Sequence, residues 1–117
     1  MDKGHIDTAI KYLQAVSASM LNHRAKSSYN AEFDMILSEI HTYLGAAYGA
    51  KGMTDKEIEQ IQIALKLSPL YADAHYRLGE AYLKKGLKDR AITEFEMTLS
   101  IDPDHIKARK YLNELDK

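Results

Sequence analysis

Only two prolines occur in this chain, Pro69 and Pro103, and they stand 34 residues apart. An isolated proline stops a helix, so two at a fixed interval read as punctuation between copies of one unit. Superposing them brings Leu44 onto Leu78, Gly45 onto Gly79, Ala47 onto Ala81 and Tyr48 onto Tyr82. Gly52 falls on Gly86, Asp55 on Asp89, Ile58 on Ile92, Leu65 on Leu99 and His41 on His75. These coincidences define two units, 38–71 and 72–105. A chain built this way is confined to stacked supersecondary units, each burying its apolar face on a neighbour.

Each unit reads as two amphipathic helices. The first carries apolar residues at helical spacing: Ile40, Leu44, Ala47 and Tyr48, then Tyr71, Ala74, Leu78, Ala81 and Tyr82. Gly45 and Gly79 fall inside these helices, where glycine costs about 1 kcal/mol relative to alanine. A repeated cost implies a repeated benefit, the close approach of a neighbouring helix. Gly52 and Gly86 are placed to end the first helices in the left-handed region. Thr54 with Glu57 has the pattern of a capping box for the next helix. The second helices carry Ile58, Ile61, Ala64 and Leu65, then Ala91, Ile92, Phe95 and Leu99.

A 34-residue helix–turn–helix unit with Leu-Gly, a tyrosine three further on, then alanine, an aromatic and a late proline resembles the tetratricopeptide repeat. In 72–105 the residues that carry the resemblance are Leu78, Gly79, Tyr82, Ala91, Phe95 and Pro103. In 38–71 they are Leu44, Gly45, Tyr48, Ala64 and Pro69, with Ile61 in place of the aromatic. Glu57 departs from the pattern, since the family places alanine there. The resemblance implies an all-α fold, a right-handed α-solenoid of antiparallel helix pairs. It would comprise a single domain over 1–117: an N-terminal helix or half unit over 5–26, a first repeat with an extended first helix over 30–71, a second repeat over 72–105, and a solvating helix over 105–117.

The two ends differ. Ile106, Ala108, Leu112 and Leu115 can dock on the preceding unit while Lys107, Arg109, Lys110 and Glu114 stay wet, as a terminal helix of a stack requires. At the other end Gly4, Ala9, Ile10, Leu13 and Val16 fit the second helix of a preceding unit, so the chain reads as beginning inside a repeat. A polar connector, 25–30, replaces the proline stop. Val16, Met20, Leu21, Phe33, Met35 and Ile36 then form a large apolar set. They either bury each other or leave a patch for self-association, as a homodimer or scaffold.

The chemistry expected of an enzyme does not emerge. The five histidines show no metal-binding spacing, the glycines belong to the repeat, and no serine sits in a nucleophile elbow. No catalytic, metal or cofactor site is expected. Formal net charge is −1, so no global field points to nucleic acid. The absence of cysteine fits a reducing compartment, and no apolar run approaches the roughly 18–20 residues that span a bilayer. A cytoplasmic protein, or a soluble domain of a larger chain, is expected.

The resemblance also implies a site. In this family the first helix of each unit lines a concave groove. Those positions here are Glu39, Thr42, Tyr43, Ala46 and Gly49 in the first unit, and Asp73, Tyr76, Arg77, Glu80, Leu83 and Lys84 in the second, with Lys107 and Lys110 extending them. Ala46 and Gly49 leave room for a ligand side chain. Some members grip a C-terminal carboxylate with Lys, Asn and Arg. The corresponding places hold Thr42, Ala46 and Arg77, with Lys107 the only partial match, so that clamp is not expected. The leading expectation is a non-catalytic interaction module for a peptide or helix of a partner protein. The alternatives are self-association through the N-terminal helices, or an accessory fragment of a larger protein.

Overall fold

A computed structural model describes residues 3–26 and 31–115, with side chains for 4–22 and 31–115. Of the polar connector expected at 25–30, 25–26 belong to α1 and 27–30 lie outside the described residues, as do the last two residues of the expected solvating segment. Those described form six helices and no strand: α1 Lys3–Lys26, α2 Ala31–Ala50, α3 Thr54–Leu67, α4 Ala72–Lys84, α5 Lys88–Ile101 and α6 Ile106–Leu115. The architecture is an all-α helical repeat. The expectation of one domain over 1–117 meets a division into two compact units, Met1–Pro69 and Leu70–Lys117, each with its own core.

The turns between paired helices form as the glycines require. Gly52 and Gly86 adopt φ of 79° and 76°. In the first turn Met53 N–H donates to the Tyr48 carbonyl and Gly52 N–H to the Gly49 carbonyl. Leu87 and Gly86 repeat both bonds onto Tyr82 and Leu83. This pairing is the Schellman closure, which satisfies carbonyls that the helix end would otherwise leave open. The helices after the turns start at once, with Met53 and Leu87 as apolar N-caps. The expected capping box is therefore corrected. Thr54 is already helical, no side chain caps α3, and Glu57 turns elsewhere.

In the first unit α1 and α2 run antiparallel, as do α2 and α3. Ile6 and Ile10 of α1 bury against Leu44 and Tyr48 of α2, with Leu13, Ala47 and Met53 around them. Ser38 Oγ–H donates to the Ala64 carbonyl at 2.9 Å, which ties α2 to α3. Gly45 does what its cost implied. A Cβ there would stand 3.1 Å from both the Glu57 carbonyl oxygen and Ile61. In the second unit α4 packs on α5 and α5 on α6, around Tyr76, Ala91, Phe95 and Ala108. A Cβ at Gly79 would meet the Phe95 ring at 2.6 Å.

Candidate functional site

The expected groove positions separate on inspection. In the first unit Tyr43 is exposed, and Glu39 and Ala46 are half-buried. Thr42 is not on an open face, which corrects its assignment. It is 0% exposed, and its hydroxyl donates back to the Ser38 carbonyl at 2.9 Å. A threonine can satisfy itself on its own helix in this way and so enter a core. Gly49 offers no room for a ligand either, because the Glu57 carboxylate occupies the space where its Cβ would stand.

In the second unit Asp73 and Arg77 are paired with each other at 3.1 Å, one turn apart. Leu83 packs against the core, and Lys84 is exposed. Tyr76 is only 8% exposed and belongs to the core cluster. Its ring lies 5.9 Å from that of Phe95, 6.0 Å from that of Tyr111 and 4.7 Å from that of His105. Tyr111 in turn stacks on Phe95 at 4.8 Å. The aromatic ring set is what α4, α5 and α6 close upon.

Polar groups hold this aromatic set in register. The Tyr76 and Tyr111 hydroxyls both donate to Oε2 of Glu80, at 3.0 and 3.2 Å. Burial raises the pKa of both phenols, and the adjoining Glu80 charge raises them further. Both therefore stay protonated and remain donors at neutral pH. His105, just before α6, accepts the Ala108 N–H on Nδ1 at 3.2 Å. It acts as the N-cap of that helix, and its Nε2 stands 4.0 Å from Asp73.

Beside this set the second unit opens a recess of about 260 Å³ lined by Tyr76, Lys107, Lys110, Tyr111 and Glu114. Tyr76, Lys107 and Lys110 were expected at a binding face. Tyr111 and Glu114 were not, although the steps 107, 110/111 and 114 put all four α6 residues on one helix face. That spacing is the signal that would have found them.

The N-terminal apolar set is also divided. Val16, Met20 and Phe33 are half-buried, whereas Leu21, Met35 and Ile36 are exposed. Between α1, α2 and α3 runs a buried polar chain. Ser17 Oγ lies 2.8 Å from His41 Nε2, and His41 Nδ1 lies 2.8 Å from Gln60 Oε1. Since the Gln60 side-chain amide oxygen can only accept, a neutral His41 ring would carry its proton on Nδ1 and accept from the serine on Nε2. This order resembles an activated serine. Yet Ser17 is 4% and His41 5% exposed, so no substrate reaches them. Among the described residues no group of histidines and carboxylates could hold a metal, and no helix is long and apolar enough to cross a membrane.

Comparison with known proteins accords with this geometry. Residues 58–106 match the tetratricopeptide repeat family. Over that stretch the chain carries the tetratricopeptide repeat pattern. The repeat fold recurs in solved structures. A crystal structure of MamA is 23% identical, with 98% of this chain and 83% of that one covered and a TM-score of 0.65. The anaphase-promoting complex hetero-tetramer Cut9-Hcn1 is 28% identical, with a TM-score of 0.80 over 96% of this chain. Only 20% of that longer chain is spanned. The first tetratricopeptide domain of Spaghetti (RPAP3), bound to the HSP90 peptide SRMEEVD, is 14% identical, with 93% and 91% covered and a TM-score of 0.64. No curated protein sequence matches the chain.

Proposed function

We propose that this protein is a non-catalytic interaction module that seats a segment of a partner protein against its second unit. The observation that carries this reading is the recess between α4 and α6, where tyrosine rings form the wall and two lysines the rim. Tyrosine offers a rigid apolar ring with little conformational entropy to lose, and such positions dominate binding surfaces. A structural neighbour of the same repeat fold holds a peptide, which supports the reading. The test is amide chemical-shift mapping of the labelled protein against a pooled peptide library. Shifts are expected at Tyr76 and along 107–114. A peptide that binds while shifting only resonances of α1 and α2 would remove the recess from the proposal.

A second reading rests on Leu21, Met35 and Ile36. Leu21 is 42% and Ile36 51% exposed. Because α1 and α2 are antiparallel, these residues lie at the same end of the pair. Exposed apolar groups gathered in one place mark an interface, and self-association would cover them. Sedimentation over a concentration series should show a dimer that Ile36→Glu dissociates. A monomer throughout the series would dismiss this reading.

A further inference from the structure

We infer that the recess on the second unit selects segments carrying consecutive acidic side chains. This rests on the proposal that the recess is the binding site. Lys107 and Lys110 lie one helical turn apart and are both exposed. Among the described residues neither enters an ion pair or hydrogen bond. Glu114, one turn further on, leaves the rim with a net positive charge. Glu80, one turn from Tyr76 on α4, is already engaged. It takes both tyrosine hydroxyls on one carboxylate oxygen, and it does not line the recess. With both phenolic protons turned to Glu80, the recess presents ring faces, two ammonium groups and the single carboxylate of Glu114, so that cations outnumber anions on its rim.

That combination sets the class of ligand. Two separate ammoniums each call for a counter-charge. A chain end supplies a single carboxylate, whereas neighbouring aspartates or glutamates supply two. At about 260 Å³ the recess is small beside pockets for small molecules, roughly 300–1,000 Å³. It suits one side chain and its flanks. Lysine also tolerates variation in the angle of approach, since its ammonium acts as a point charge. The selection is therefore for acidic charge within a segment and not for one fixed sequence.

The experiment uses the full chain and fluorescent peptides that are acetylated and amidated, so that no charged end is present. One has glutamates beside a leucine, one glutamines and one lysines. Fluorescence anisotropy should show tightest binding of the glutamate peptide, weakening as salt rises. Lys107→Glu with Lys110→Glu should weaken it by about tenfold or more. Both side chains are exposed, and an unchanged thermal melt verifies folding. Equal binding of the glutamine peptide, or binding restored only by a free carboxylate end, overturns the acidic class and leaves the recess standing. If no peptide shifts the resonances of the recess, the recess itself falls, and the acidic class with it.

Discussion

The two repeats solve one packing problem in opposite ways. In the second, Leu83 on the first helix is matched by Ala91 on its partner. At the equivalent places of the first stand Gly49 and Glu57, with the large and small residues exchanged. The Glu57 carboxylate fills the space above Gly49, while Leu83 packs towards a pair in which Ala91 is fully buried. The histidines diverge too. His41 meets the neutral Gln60 and, through Ser17, reaches a third helix. His75 meets Glu94 at 2.8 Å, a partner with a charge. The repeat thus conserves volume and hydrogen bonding across a pair of positions and not the residue at either one. An extra methylene in a filled core is destabilising, so exchange within a pair is easier than change at one member.

The comparison breaks most sharply if the exchange is transplanted. Gly49→Leu alone forces the Glu57 side chain aside and should cost about 1–3 kcal/mol. Adding Glu57→Ala, which installs the solution of the second repeat, should recover most of that loss. Urea unfolding of the two single variants and the double variant measures the coupling. Additive losses would show that the two positions do not share one space.

A smaller effect separates the units at high pH. Tyr48 accepts a bond from the neutral Gln14 amide at 2.8 Å, whereas Tyr76 and Tyr111 both donate to a carboxylate. Burial and then the Glu80 charge raise the pKa of both from the usual 10.0. In the unfolded chain these phenols lose their protons near pH 10, while in the folded chain they keep them. Above pH 10 the unfolded state therefore binds fewer protons, and stability falls as pH rises. Below pH 10 both states hold the protons and the effect vanishes. Tyr76→Phe with Tyr111→Phe should flatten the decline in denaturation midpoint above pH 10. An unchanged slope would place the alkaline sensitivity elsewhere.

Helix pairing and turns were legible because they depend on residues with no substitute. Gly52 and Gly86 take a positive φ, Gly79 lies under the Phe95 ring, and Pro69 and Pro103 follow the helix ends. The destination of Glu57 was not legible. Thr54 three residues before it spells a capping box, and only the vacancy at Gly49, across the helix pair, decides against that. Thr42 was misplaced for a related reason, since a helix can take up a hydroxyl on its own carbonyl. Of the proposed binding face, Lys107 and Lys110 were readable as charged helix positions. The role of Tyr111 depends on Glu80, 31 residues away, and a repeat period of 34 does not relate the two.

The bond chain from Ser17 through His41 to Gln60 bears on how α1 finds its place. An apolar stripe of Ile6, Ile10 and Leu13 would accept α2 at neighbouring registers, a turn up or down, at modest cost. A hydroxyl that must meet one ring nitrogen at 2.8 Å accepts only one. Any slip of α1 by a turn would strand a polar group in a dry interior, a penalty of about 1–3 kcal/mol. The three residues therefore work as an alignment key, telling the helix where to stop.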